Sequence, residues 1–204
     1  MSKTICIIDY NAGNIMSLCH MVNNISHYKT IVSNDIEDVK NADYLILPGV
    51  GSYSYVSNYL ANKNLDKTLK EAMIDYKKPI LGICLGMQIL FESSNEFGFS
   101  KGLGIFKGNV TQFNPNDVLF PLPNIGWRKV CMDTNAKIPF IDGWYYFAHS
   151  FHVTDVDSEI VVGTSNYGIQ FPAVINYNNF YGVQFHPEKS SASGVQFLKT
   201  FFEI

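Results

Sequence analysis

The sequence is poor in cysteine: Cys6, Cys19, Cys84 and Cys131 are the only four in 204 residues. None stand at metal-ligand spacing, and so few in a chain this long exclude a disulfide framework. Charge is scarce as well. Only 16% of residues are charged, the net charge is −3, and no run of Lys or Arg occurs. Nucleic acid and an anionic membrane are therefore not expected as partners. The most apolar window, Pro79 to Phe91, is too short to cross a bilayer. The opening residues, MSKTICIIDYNAG, have one Lys and a short apolar run stopped by Asp9, without the long apolar region and cleavage site of a signal peptide. A reducing cytoplasm is the expected compartment. There is no Walker sequence, no Gly-x-Gly-x-x-Gly run and no His/Cys cluster at ligand spacing, so neither a cofactor nor a metal is expected. Repeats, low-complexity tracts and linkers are also missing, and one domain over 1–204 is expected.

What the sequence does have is apolar material, 47% of residues, enough for a full core. TICIID (Thr4–Asp9), KTIVS, DYLILPGVGS and PILGIC read as short buried strands. Between them lie helical patterns: IMSLCHMVNNI, with Ile15, Leu18, Cys19, Val22 and Ile25 on one face, and LDKTLKEAMIDYKKP, with Leu65, Leu69, Ala72, Met73 and Tyr76 inward. This alternation predicts an α/β fold, a central and largely parallel sheet flanked by helices. From Gly102 to Phe185 the helical period disappears. GIFKGNVTQF, WRKVCM, WYYFAHSF, EIVVGTS, FPAVIN and FYGVQF predict added antiparallel strands, and SASGVQFLKTFFEI a closing helix.

One junction carries chemistry. In PILGICLGMQILFES, Cys84 falls where a strand gives way to a pattern with helix composition, with Met87, Leu90 and Phe91 spaced to face inward. Gly82 and Gly86 flank it as Gly-x-Cys-x-Gly, the cysteine form of a nucleophile elbow, whose tight turn needs small neighbours. A following helix would aim its free N–H groups at the sulfur and favour thiolate over thiol. The N–H of Leu85 would be the first donor to a developing oxyanion. Cys6, Cys19 and Cys131 read as ordinary buried cysteines. A thiolate needs a base, and the base an orienter. Among five histidines, His20 and His27 look like surface or edge positions, and His149 and His152 can be structural. His186 ends an apolar strand in YGVQFHPEKS. The proline fixes the backbone there, and Glu188 stands two residues on to accept from the imidazole.

GICLGMQ with a distant FHPE resembles the class I glutamine amidotransferases, and the resemblance implies their flavodoxin-like fold and a Cys-His-Glu triad. DYNAGNIMSL, LPGVGSY, LFESSNE, GLGIFKGNV, NIGW, YYFAHSF and FHPEKSS fall in family order across essentially the whole chain. They narrow the resemblance to the glutaminase subunits of the histidine pathway. The reaction implied is hydrolysis of glutamine to glutamate and ammonia: Cys84 attacks, His186 relays protons and Glu188 orients it. The PGVG stretch would supply the second oxyanion donor from Val50 in an activated state. Gly51, Gln88, Glu96 and the backbone near His149 and Ser150 would hold glutamine. The partner implied is a cyclase subunit, a (β/α)8 barrel, that receives the ammonia, with Asn11, Asn14, Trp127 and Lys189 at or near the interface.

The sequence departs from that pattern at PNIGWRKV. The family usually has a His before the Gly-Trp pair and an Asn after it; here Asn124 and Arg128 stand there. Both are expected on the partner side, so a paralogous amidotransferase feeding another acceptor, such as an amidino-sugar pathway, stays open. A non-catalytic scaffold predicts a broken triad, and all three residues are present. A peptidase would not need Gly-Val-Gly, Gln88 and Glu96 together.

Overall fold

The computed structural model describes residues 3–74, 78–118, 120–133 and 140–203. In chain order the first half builds β1 (Thr4–Ile8), α1 (Met16–Ile25), β2 (Lys29–Ser33), α2 (Ile36–Asn41), β3 (Tyr44–Leu47), α3 (Tyr53–Asn62), α4 (Leu65–Ile74), β4 (Ile80–Ile83) and α5 (Leu85–Gln88). The second half adds β5 (Ser93–Ser94), β6 (Ser100–Lys101), β7 (Asn109–Gln112), β8 (Asn124–Met132) and β9 (Gly143–His149). It continues with β10 (Phe151–Thr154), β11 (Val161–Tyr167), β12 (Ile169–Tyr177), β13 (Phe180–Val183) and α6 (Ser191–Phe202).

Nine strands form one sheet in the order β2-β1-β3-β4-β13-β12-β11-β8-β9. The first five run parallel, and the remaining neighbours pair antiparallel. A second sheet holds β10-β7-β5-β6. The central parallel strands β3, β4 and β13 are buried on both faces, which is why they read as unbroken apolar runs, while β2 at the edge is partly exposed. Alternate residues feed two cores: Ile5, Ile7, Leu81 and Ile83 on one face, Cys6, Ile8, Leu45 and Leu47 on the other. Each fully buried Ile or Leu contributes roughly 1.5–3 kcal/mol. Functional groups in such a sheet collect at the carboxyl ends of its strands. Here β4 and β13 are neighbours, with Ile83 beside Val183, so the residues following each come together.

Several expectations change. The sequence reading passed over α2 and α3. Helix α2 is short, and a cap anchors it: Asp35 accepts from the N–H of Glu37 and of Asp38. The helix after Cys84 stops at Gln88, short of the composition pattern. The carbonyls that a longer helix would use are taken from a distance. Ile89, Leu90 and Phe91 accept from Leu103, Ile105 and Gly104 at 2.7, 2.8 and 3.1 Å. Gly102 permits this, since a Cβ there would collide with the Phe91 carbonyl. Cys131 is exposed rather than buried, because it faces outward from β8 next to inward Val130. Tyr76, expected inward, lies outside the described residues.

Candidate active site

The turn after β4 is shaped by close approach. A Cβ on Gly82 would sit 2.6 Å from the Gly86 carbonyl oxygen, and one on Gly86 would collide with the Leu47 carbonyl. Cys84 itself takes φ 48° and ψ −106°, a conformation that costs a non-glycine residue about 1–3 kcal/mol. The fold holds it there: Cys84 N–H donates to Val183 O at 2.7 Å, and its carbonyl accepts from Met87 and Gln88. Leu85 opens α5, so its N–H has no partner inside the helix. With one turn only, α5 offers N–H groups at the sulfur but little macrodipole.

His186 follows β13. Its N–H donates to Tyr146 O at 2.8 Å, and Ser190 Oγ donates to its carbonyl at 2.6 Å while accepting from Tyr146 N–H. The ring Nδ1 donates to Glu188 Oε1 at 2.7 Å, which leaves Nε2 for Cys84. Burial opposes charge on this imidazole, but the negative charge and hydrogen bond of the Cys84 sulfur, then Glu188, outweigh it and push His186 up to about 10. His186 held by Glu188 and facing the Cys84 sulfur is the pairing of a nucleophile with an oriented base.

Cys84 opens into a cleft of about 540 Å³, within the range of small-molecule sites. Its walls include Gly49, Gly51, Leu85, Gln88, Glu96, Phe97, His149, Ser150 and Phe151. The sequence-derived glutamine set, Gly51, Gln88, Glu96 and Ser150, thus converges on one cavity with Cys84 and Leu85. Glu96 has a structural task too: Oε2 accepts from Tyr53 N–H at 2.7 Å and caps α3, where Ser52 makes no side-chain cap. Gln88 donates from Nε2 to the Phe151 carbonyl and to Gln184.

Val50, between cleft-lining Gly49 and Gly51, is half-buried. The turn holding Asn11 and Asn14 packs on it: a Cβ on Gly13 would lie 2.7 Å from Val50 Cβ, and one on Gly51 3.2 Å from Ala12 Cβ. Asn11 is exposed and bonded to Tyr59, and Asn14 accepts from Met16 N–H at the start of α1. Trp127 is 41% exposed and meets Tyr146 edge-on, with the Lys189 ammonium 5.9 Å from the centre of the Tyr146 ring. Trp127, Tyr146 and Lys189 thus form one cluster on the β8–β9 surface.

Asn124 and Arg128 do not lie on that surface. They are two and four residues along β8 from Gly126 and Asn124 respectively, on the face opposite Ile125 and Trp127. Asn124 is fully buried, and its Nδ2 donates to His149 Nε2 at 2.9 Å. Arg128 lies 4.8 Å over the Tyr167 ring. Strand alternation thus buries Asn124 and leaves Arg128 half-buried on the same face of β8, its Nη1 donating to the Trp127 carbonyl at 2.8 Å. His149 Nδ1 donates to the Phe151 carbonyl, and burial pushes the ring down to about 3, so it stays neutral and structural.

Sequence reasoning placed Gly49 in the PGVG stretch but not its contact with the nucleophile and base: a Cβ there would lie 2.8 Å from Cys84 Cβ and 3.1 Å from His186 Cε1. It also missed Ser190 and Gln184. A lone amide in the apolar run YGVQF was the available signal for Gln184. Among the described residues no group of three or more His, Cys, Asp or Glu could hold a metal ion, and no helix is long and apolar enough to cross a membrane.

A strained cysteine on a strand-to-helix elbow, paired with a carboxylate-bound histidine from the next parallel strand, defines a cysteine-dependent hydrolase or transferase site. The family model described as glutamine amidotransferase class-I matches residues 6–204, and the chain belongs to that family. Among its relatives are proteins named imidazole glycerol phosphate synthase subunit HisH. The one from Listeria monocytogenes serotype 4a is 42% identical over 98% of this chain and 95% of its own. That from Methanocaldococcus jannaschii is 42% identical over 97% and 98%. Solved structures share the fold at lower identity. One titled glutamine amidotransferase has a TM-score of 0.76 at 12% identity, covering 97% of each chain. PurLQS from Thermotoga maritima has a TM-score of 0.73 at 20% identity, covering 100% of this chain and 97% of that one.

Proposed function

We propose that this chain is the glutaminase subunit of an imidazole glycerol phosphate synthase, working as one amidotransferase domain in the cytoplasm. The observation that carries the reading is Cys84, backed by the His186–Glu188 pair, opening into a cleft walled by Gly51, Gln88, Glu96 and Ser150. The Cys84 thiolate attacks the side-chain carboxamide carbon of glutamine and forms the C–S bond. The developing oxyanion takes the Leu85 N–H, and Val50 supplies a second N–H when its peptide turns inward. Protonated His186 gives its proton to the departing nitrogen, the C–N bond breaks and ammonia leaves. Water then attacks the glutamyl thioester, His186 takes a proton from it, and the C–S bond breaks to release glutamate. Glu188 holds the imidazole throughout and offsets its charge.

Ammonia in bulk water at neutral pH would protonate and lose its nucleophilicity. A cyclase subunit built as a (β/α)8 barrel receives it, docking on the surface marked by Asn11, Asn14, Trp127 and Lys189. Contact of the Asn11–Asn14 turn with Val50 and Gly51 gives the partner a lever on the oxyanion strand. A second reading, an amidotransferase feeding another acceptor such as an amidino-sugar pathway, rests on the departures at Asn124 and Arg128. The test is glutamate release from glutamine by the chain and by Cys84→Ala, with and without a histidine-pathway cyclase subunit. Equal release by both proteins would refute the assignment of the nucleophile.

A further inference from the structure

Gln184 is wholly buried just past β13, two residues before His186, and takes no part in the steps above. Its side chain nevertheless meets the reacting sulfur: Nε2 donates to Cys84 Sγ at 3.4 Å. At its other end Oε1 accepts from Gln88 Nε2 at 2.9 Å. The same Gln88 nitrogen donates to the Phe151 carbonyl at 2.9 Å.

One atom fixes the direction of all three bonds. A backbone carbonyl can only accept, so Gln88 must turn its nitrogen toward Phe151. That nitrogen has two N–H groups, and the second meets Gln184. Gln184 must answer with its oxygen, which leaves its own nitrogen facing the sulfur. Reversing Gln184 would set two donors against each other and an amide oxygen against a thiolate. A buried amide in an apolar strand is unfavourable unless paired, and here both of its ends are paired.

We propose that Gln184 is a further catalytic residue, an N–H donor that holds the Cys84 thiolate, with Gln88 as the positioning residue that aims it. The proposal rests on the reading of Cys84 as nucleophile. Hydrogen bonds to charged acceptors are the stronger ones, so this donor steadies the attacking sulfur and fixes the direction of attack. His186 supplies the ion-pair partner, and Gln184 supplies a neutral donor that stays in place when His186 gives up its proton.

The test uses two readouts on the full chain: alkylation of Cys84 by iodoacetamide, which does not need the glutamine pocket, and kcat and KM for glutamate release. A Cys84→Ala blank subtracts the other thiols. Gln184→Met keeps the length of the side chain and removes the N–H. It is expected to slow alkylation about tenfold or more, the loss of a hydrogen bond to a charged group, and to lower kcat by a similar factor. KM is expected to stay within about twofold, since Gln184 does not line the cleft. Gln184→Glu, which sets a carboxylate against the sulfur, should be slower still. A packing role alone predicts that Gln184→Met leaves both rates near wild type, and that result would overturn the proposal.

Should Gln184→Met fail to fold, Gln88→Met gives the alternative reading. It does not touch the sulfur, yet loss of its aiming bond should slow alkylation, and an unchanged rate would overturn the proposal. Slowed alkylation with no glutamate release by the wild-type chain, even with the ligand-loaded cyclase subunit, would sustain the donor and refute the glutaminase. Glutamate release untouched by Gln184→Met would do the reverse.

Discussion

Gly49 makes a demanding test, because its replacement by alanine adds one carbon at the point where the nucleophile and base meet. The new Cβ would lie 2.8 Å from Cys84 Cβ, 2.8 Å from the Ile83 carbonyl oxygen and 3.1 Å from His186 Cε1. Carbon atoms in comfortable contact stand roughly 3.5–4.0 Å apart, so the shortfall is about 0.7 Å. A backbone oxygen and a Cβ cannot rotate out of the way. Either the loop after β3 moves outward, taking Val50 with it, or Cys84 and His186 part. Overpacking of this kind costs about 1–3 kcal/mol of stability. A displacement near 1 Å at reacting atoms lowers the rate about a hundredfold. The expectation for Gly49→Ala is therefore a folded protein, somewhat less resistant to urea, whose kcat falls about 10- to 100-fold. Urea unfolding and glutamate release measured side by side decide it. A kcat within threefold of wild type at unchanged stability would refute the geometric argument.

Other consequences concern protons. His186 keeps its proton to about pH 10 because of the Cys84 sulfur and Glu188, so the general acid is available through neutral pH and activity should fail as pH passes that value. In Cys84→Ala the sulfur's charge and hydrogen bond are gone while burial still opposes the proton, so the midpoint should drop well below 10. Imidazole NMR titration of both proteins reads this, and equal midpoints would contradict it. Glu188→Gln keeps a partner for Nδ1 but removes the charge; kcat should fall about a hundredfold or more with little change in KM. His152 is buried against the Phe113 ring at 4.2 Å, its Nδ1 has no hydrogen-bond partner among the described residues, and burial pushes it down to about 4. The unfolded chain takes up this proton near pH 6.5 and the folded one only near 4, so stability falls as pH drops between them. The loss reaches roughly 3 kcal/mol at pH 4. His152→Phe should remove that part of the acid sensitivity in urea unfolding at pH 7 and pH 4.5.

The parallel half of the fold was legible because buried parallel strands are apolar runs that need only local reading. Cys84 was legible because steric demand wrote Gly82 and Gly86 beside it, and His186 because the proline and Glu188 lie within two residues. The family named on those residues agrees with the family match and the shared fold. What escaped depends on contacts far apart in sequence. The early stop of α5 is set by Leu103–Phe106, and the capping task of Glu96 by a helix forty-three residues before it. Gln184 meets Gln88 and Cys84 across gaps of 96 and 100 residues. The burial of Asn124 against His149 escaped because it shows only when the alternation along β8 is followed outward from Trp127. Helix α2 was missed although Asp35, Glu37 and Asp38 announce a capped start.

The central claim is that Cys84 hydrolyses glutamine under the control of a histidine-pathway cyclase. The measurement that meets it most directly is glutamate release with and without that cyclase subunit and its nucleotide ligand, with Cys84→Ala as the blank. Weak release alone, strong stimulation by the loaded partner and none from Cys84→Ala is the expected result. Cys84-dependent release that the partner leaves unchanged would contradict the coupling, and release that survives Cys84→Ala would contradict the claim itself.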